Sequence, residues 1–239
     1  MNKLPYFVFN GTVSLDEQLI IQSKNTYVGA SRDLTFTSIP GRSGDLLIDN
    51  KRYKNVTVKY TVAALEGIHD IPEIAHRVKG WLASEVGYMR LMDSYDPNYY
   101  RLAAYASQYD LEQELPALGK STIQFNCKPF RYSIEGMRKL ILTDSQTIVN
   151  PEFFKANPYI KINGFGNITL TVNNNSFLFR GVEEYIEVDS EIMNAYKGSE
   201  NCNFKMFTPR FPEFQKGENA ISWTGSVSSV EIIPRWCCL

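Results

Sequence analysis

Histidine is nearly missing from this chain of 239 residues, occurring only at His69 and His76. A hydrolytic triad or a zinc site usually draws on an imidazole, so both chemistries would have to be built on these two positions. The stretch HDIPEIAH that holds them is not HExxH. His76 falls beside an apolar stripe, so capping and packing are the plainer roles. No GxSxG nucleophile elbow occurs. GRSGD lacks the GKS or GKT of a phosphate loop, and NGFGN lacks the third glycine of a dinucleotide site, so both are read as turns. Cysteine is scarce: Cys127, Cys202, Cys237 and Cys238 place no close pair opposite another pair, which argues against zinc and leaves small apolar residues or surface thiols. The WCCL ending is one residue out of register for prenylation. No run approaches the roughly 20 apolar residues of a membrane span. Pro5 and Asn10 interrupt MNKLPYFVFNGTVSL, which is therefore not read as a signal peptide. A reducing, cytosolic site of synthesis is the expectation, with no membrane partner.

A cluster of basic charge is also missing. The formal net charge is −1, with 15 basic against 14 acidic residues before Ser133 and 10 against 12 from there on. Phosphate neutralisation needs a basic face, so a nucleic-acid-binding function is not expected.

Aromatic residues, by contrast, are abundant, with 14 Tyr and 14 Phe, and short alternating runs recur. Val56, Val58, Tyr60 and Val62 alternate with Thr57, Lys59 and Thr61, the pattern of a half-buried antiparallel strand. Strands are also expected over Tyr99 to Tyr109, Thr122 to Cys127, Ile168 to Val172, Val182 to Val188 and Ile221 to Ile233. Turn chemistry at PGRSGD, SYDPN, NGFGN, NNNS and WTGS separates them. One segment follows a helical period: Ile71, Ile74, Ala75, Val78 and Leu82, with Trp81 widening the stripe. Asp70 and Glu73 have capping-box spacing and Gly87 is the expected stop. The chain is thus expected to be mainly β with one flanking helix. A change of character near Tyr132 divides it into domains at 1–132 and 133–239, with Arg131 to Ile148 either a linker or the first strand of the second domain.

Carboxylate pairs were weighed for glycoside hydrolysis, which needs two carboxyls facing one another across a cleft. Three pairs occur, Asp93 with Asp96, Glu183 with Glu184 and Asp189 with Glu191; Glu183 and Glu184, as strand neighbours, point to opposite faces, and Asp93 and Asp96 flank the turn SYDPNY. Trp223 and Trp236 are candidates for stacking on sugar rings, with core packing the plainer role because ISW and PRW sit in apolar surroundings. Ser38 to Asp49, SIPGRSGDLLID, is longer and more polar than a hairpin turn requires, and reads as an arm reaching beyond its own domain. Within it Pro40, Gly41, Arg42, Gly44 and Asp45 are the candidate inter-subunit residues. No catalytic residue, metal or cofactor is expected.

Five stretches, in order, resemble the distal tail proteins of long-tailed bacteriophages: IPGRSGDLLIDNKRYKNVTVKY, KGWLASEVGYMRLMDSYDPNYYRLA, FNCKPFRY, NPYIKINGFGNITLTVNN and SWTGSVSSVEIIPRW. The resemblance implies a structural baseplate hub of a phage or prophage, not an enzyme. It implies a homo-hexameric ring at the virion tail tip, assembled in the bacterial cytoplasm. The ring would join the tail-tube protein to an adhesin or receptor-binding protein and meet DNA only in transit. It also implies a tail-tube-like β-sandwich with a flanking helix and a belt-like extension, mapped onto Ser38 to Asp49. A galectin-like or carbohydrate-binding-module-like β-sandwich platform would follow. The alternative is a phage protein that recognises host cell-wall saccharides through its C-terminal domain, although the His, Asn, Arg and Trp set of sugar-binding galectins is missing here.

Overall fold

The computed structural model describes residues 4–25, 29–65, 70–107 and 111–239. His69, weighed above for chemistry, lies outside them, as does the end of the strand expected to run to Tyr109. The chain divides into two compact units, one formed by Met1–Arg131 with Leu239, the other by Tyr132–Cys238. Each has its own apolar core.

The first unit contains β1 (Phe7–Phe9), β2 (Thr12–Val13), β3 (Leu19–Lys24), β4 (Arg32–Thr37), β5 (Leu46–Tyr53), β6 (Val56–Ala64), β7 (Met89–Asp93), β8 (Tyr99–Tyr105) and β9 (Ser121–Ser133). Its main sheet runs in the order β2-β1-β7-β8-β9-β6-β3, and β4 and β5 form a separate two-stranded sheet. On β6 the alternation is realised: Tyr60 and Val62 are buried while Lys59 faces water. Helix α1 (Ile71–Ala83) buries Ile74, Ala75, Val78 and Leu82 against this sheet's apolar side chains. Rings reinforce the contact, with Phe7 stacked on Tyr60 at 5.2 Å and on Trp81 at 5.6 Å.

Asp70 caps α1 by accepting a 3.1 Å hydrogen bond from the Glu73 amide. The helix ends four residues before Gly87, because the Ser84 hydroxyl and amide both turn back to the Trp81 carbonyl. A second helix, α2 (Leu111–Leu118), was not anticipated; it is eight residues long, contains Pro116, and buries only Leu111 and Leu115. Two buried positions make too short a stripe for periodicity to reveal. Across the helix pair Glu112 accepts from Lys79 at 2.7 Å and pairs with His76 Nδ1 at 2.7 Å, so this exposed histidine bridges one helix to the other.

The second unit contains β10 (Leu140–Leu142), β11 (Gln146–Asn150), β12 (Tyr159–Val172), β13 (Asn175–Val182), β14 (Tyr185–Asp189), β15 (Asn194–Lys197), β16 (Glu200–Asn201) and β17 (Gly217–Ile233). Its sheet runs β10-β17-β12-β14-β15-β16, with β11 also on β17 and β13 also on β12. The segment left open as linker or strand is therefore strand: Leu140 pairs with Ile232 and Ile148 with Asn219. Ile160, Ile162, Ile168, Leu170 and Val172 of β12 and Val230 and Ile232 of β17 carry much of the core.

NGFGN and WTGS are not turns. They lie inside the continuous strands β12 and β17, whose register shifts between Asn163 and Gly164 and again between Phe165 and Thr169. Glycine serves close backbone approach here: a Cβ on Gly164 would meet the Ser226 carbonyl at 2.3 Å, and one on Gly225 the Asn167 carbonyl at 2.5 Å. The strand expected over Val182 to Val188 is instead broken at Glu183 and Glu184, where Glu184 has φ 62° and turns the chain from β13 into β14.

Gly164→Ala is expected to destabilise the second unit by about 2 kcal/mol, because the added methyl must force the two bulged strands apart. Urea unfolding followed by tryptophan fluorescence measures this, and an unchanged midpoint would show that the bulge can spread without cost.

Candidate assembly surface

The hairpin of β4 and β5 begins from residues that ought to be inside a protein. Phe36 is 64% exposed and Leu47 55%, and Leu46 and Ile48 also face solvent. Phe36 lies directly opposite Leu47, Thr35 opposite Ile48 and Thr37 opposite Leu46. A lone two-stranded hairpin is marginal in water, because it has no second layer to cover its apolar side chains.

The base of the hairpin is secured within the first unit. Arg52 Nε donates to Asp33 Oδ2 at 2.7 Å, and Lys54 sits 3.6 Å from the same carboxylate. Arg52 holds the Asp33 carboxyl below its usual range, against an opposing contribution from desolvation. The Lys54 amide donates to the Ser31 carbonyl at 2.9 Å, and the Tyr53 ring meets Phe130 edge-on at 5.5 Å. Only the outer end is left without contacts of this kind.

All five candidate arm residues lie in the turn at that outer end. Gly41 and Gly44 have φ of 77° and 86°, values open to glycine, and the Arg42 amide closes a turn onto the Ile39 carbonyl at 3.2 Å. Pro40 supplies the fixed φ that starts it. Among the described residues neither Arg42 nor Asp45 has an ion-pair partner. The projection is longer than the polar loop expected: Leu46 to Asp49 belong to strand β5, and the whole element spans residues 32–53. Sequence reasoning picked out the polar tip and missed the apolar flank. The run LLI, displaced from any strand that could bury it, was the available signal.

Elsewhere the first unit concentrates charge in one cavity of about 170 Å³, lined in part by Lys24, Tyr60, Asp93 and Asp96. Asp93 is 8% exposed and accepts from Lys24 Nζ and from the Tyr60 hydroxyl, both at 2.6 Å. Its other oxygen accepts from the Tyr95 and Asp96 amides at 3.0 and 3.2 Å. Burial, and then the Asp93 charge, push the Tyr60 phenol well above its usual range, so it remains a hydrogen-bond donor. With both oxygens satisfied as acceptors in this way the carboxylate acts as a knot between β3, β6 and β7. Asp96 turns away to pair with Arg131 at 2.8 Å.

In the second unit Trp236 is 5% exposed and packs on Phe214 at 5.6 Å, leaving no ring face for a sugar. Trp223 lies on β17 opposite Leu170 and packs against the same core. Glu184 pairs with Lys197, and Asp189 is held by both terminal nitrogens of Arg235 at 2.6 and 2.8 Å. Glu191 lies 3.5 Å from the same guanidinium, so Asp189 and Glu191 share one arginine rather than facing each other across a cleft. Burial pushes the Cys127 and Cys237 thiols up to about 12. Among the described residues no three His, Cys, Asp or Glu side chains gather to hold a metal ion.

Three of the solved structures similar to this chain extend over almost its whole length. The Dit protein (gp 19.1) of SPP1, described as a paradigm of the hub adsorption apparatus in phages infecting Gram-positive bacteria, superposes with a TM-score of 0.76 at 12% identity, covering 99% of this chain and 100% of its own. This chain has the fold of a phage tail hub protein. A chain of the phage p2 baseplate in its activated conformation, with Sr, follows at a TM-score of 0.52 and 10% identity, covering 96% of this chain and 97% of its own. The same baseplate with Ca gives 0.51. No protein-family model and no curated protein matches the sequence. The mainly β architecture and the likeness to distal tail hubs expected from five short stretches are therefore carried by the fold, at an identity where residue-by-residue comparison has little to hold.

Asp93→Ala should cost about 3 kcal/mol, since it leaves the Lys24 ammonium and the Tyr60 hydroxyl without their shared acceptor. Denaturant unfolding checks this, and a loss below half that figure would mean that water replaces the carboxylate.

Proposed function

We propose that the chain is the structural distal tail protein, the baseplate hub, of a long-tailed bacteriophage or prophage. In this reading six copies close into a ring at the virion tail tip, joining the tail tube to the host-adhesion apparatus and letting DNA pass. The observation that carries the reading is the full-length likeness to the SPP1 Dit protein, over 99% of one chain and 100% of the other. The exposed apolar hairpin supports it independently, because it is an element secured at its base and lacking a cover.

A closed ring needs a heterologous interface, in which one surface of each subunit meets a different surface of the next. The hairpin supplies one such surface, with Phe36 and Leu47 as its apolar flank and Arg42 and Asp45 as charges at its tip. Burying apolar area of this kind contributes about 25 cal/mol per Å², so a few side chains of this size add several kcal/mol at each of six contacts. The role is architectural, with no chemical step. The ring's lumen must admit DNA without gripping it, and 15 basic against 14 acidic residues before Ser133 provide no basic funnel. The partners are other copies of the chain, the tail-tube protein and an adhesin or receptor-binding protein. Assembly takes place in the bacterial cytoplasm.

Light scattering across a concentration series tests the reading. The wild-type chain is expected to reach about six times 27.3 kDa. The double variant Phe36→Ser, Leu47→Ser, and deletion of Ile39 to Asp45, should remain monomeric at the same concentrations with unchanged circular dichroism. Equal assembly by the variants would remove the hairpin from the interface, and a wild-type chain that stays monomeric throughout would remove the self-assembling ring.

A further inference from the structure

One cleft of the second unit has a lining that its own domain does not complete. Its volume is about 910 Å³, and three connections form its walls: the β12–β13 turn at Asn173 and Asn174, the turn after β14 from Ser190 to Met193, and the connection into β17 from Thr208 to Gln215. Connections of this length are usually the loosest parts of a β domain, yet these are anchored from beneath. Asn219, fully buried, donates to the Gln215 and Gly217 carbonyls at 2.9 Å and accepts from Asn173 Nδ2 at 3.0 Å, so one amide ties the first wall to the third. Asp189 secures the second wall, accepting from the Glu191 amide at 3.0 Å while paired with Arg235. The cleft therefore keeps its shape before anything enters it, which lowers the ordering cost of binding.

The polar groups of the lining are unevenly matched. Glu191 lies 3.5 Å from Arg235 and accepts from the Tyr132 hydroxyl at 3.0 Å, and Glu213 pairs with Lys155. Both acids thus have partners. Arg210, the one cation of the lining, has neither an ion-pair nor a hydrogen-bond partner among the described residues, and the same holds for the side-chain amides of Asn157 and Asn174. Ser190 also lines the cleft; it is 5% exposed, and its buried hydroxyl has no partner. Such a group is rare in folded proteins, because its desolvation goes uncompensated. A guanidinium, two amides and a hydroxyl together form a donor set suited to one carboxylate.

The rim is apolar where solvent would favour polar residues. Met193, which lines the cleft, is 69% exposed and has φ 51°, a conformation that asparagine or glycine adopts far more readily. Neither burial nor backbone preference accounts for a methionine there. Ile192 beside it is also exposed. Asn203 donates to Asn194 Oδ1 at 2.8 Å and accepts from the Ala195 amide at 2.7 Å, which ties this turn to the one-turn helix Asn203–Lys205 and its exposed Phe204. Methionine, aromatic residues and arginine are the types that protein interfaces concentrate, whereas lysine and glutamate are depleted there.

We infer that this cleft docks a segment of a partner protein in which an aspartate or glutamate is flanked by apolar residues. The acid enters the cleft and brings its carboxylate to Arg210, the Ser190 hydroxyl and the unpaired amides, while its apolar neighbours cover Met193, Ile192 and Phe204. A single carboxylate is what the lining can take, since a polyanion would also meet Glu191 and Glu213. A small anion would satisfy Arg210 but leave the apolar rim in water; a protein segment answers both. The docking surface does not involve the hairpin and does not rest on the hub reading.

A library of short random peptides with amidated C-termini, selected on the immobilised full chain, tests the assignment. Amidation leaves only side chains to supply a carboxylate. Enriched peptides are expected to share an Asp or Glu next to apolar residues, and replacing that acid by its amide should weaken binding about tenfold in a fluorescence-anisotropy titration. Arg210→Gln and Met193→Ser, both at exposed positions, are expected to weaken the best peptide about tenfold and about threefold at unchanged melting temperature, with Arg210→Lys recovering part of the loss. Asn174→Ala, at an exposed turn, provides a further variant with an expected loss if Arg210→Gln disturbs the fold. No enrichment, enriched peptides without a shared acid, or binding indifferent to these variants would overturn the proposal. So would an oligosaccharide array on which the chain binds a glycan and Arg210→Gln abolishes that binding. Ring formation is read separately by light scattering, so a failure there leaves this result standing.

Discussion

An apolar sheet face has to be covered, and the two units and the hairpin answer that requirement in different ways. In the first unit a helix supplies the cover, with Ile74, Val78 and Leu82 laid against the strands that carry Phe7, Tyr60 and Phe125. In the second, apolar side chains from across the eight-stranded sheet pack on one another, and Gly164 and Gly225 let the paired strands β12 and β17 come close at their bulges. The hairpin of residues 32–53 has no cover within its own unit. Its apolar flank therefore stays exposed while its base is held by the ion pairs of Asp33.

Buried polar residues perform a second task that apolar packing cannot. Asp93 joins three strands through one carboxylate, and Asn219 joins two connections through one amide. Each is costly to bury and valuable once satisfied, because directional bonds select a single arrangement where apolar contacts tolerate several. In the first unit this precision fixes β3, β6 and β7 against one another. In the second it shapes a cleft at one end of the domain. The same chemistry that looked like a candidate catalytic pair, Asp93 with Asp96, is thereby explained as architecture, since Asp96 is drawn off to Arg131.

The comparisons bear on the fold more than on the chemistry. At 12% identity the SPP1 Dit protein shares the path of the chain but few of its side chains. Mainly β structure can be kept over such distances because the alternation of apolar and polar residues is preserved by many different residues. A cleft lining or an arm tip has no such tolerance, so those surfaces have to be read from this chain's own residues.

Local patterns were enough to determine much of the architecture. The alternation on β6 and the helical stripe of α1 with its Asp70 cap were legible in the sequence, because each arises from side chains a few positions apart. The scarcity of histidine and the even charge likewise narrow the chemistry by themselves. Where a glycine could serve either a turn or a bulge, the sequence was silent, and NGFGN and WTGS proved to lie within strands whose mutual pairing joins residues more than fifty positions apart. Helix α2 was too short to show a period. The apolar flank at Leu46 to Ile48 and the cleft tied together by Asn219 were decided only by tertiary structure. Exposure and enclosure depend on which distant segments arrive, and no local pattern records that.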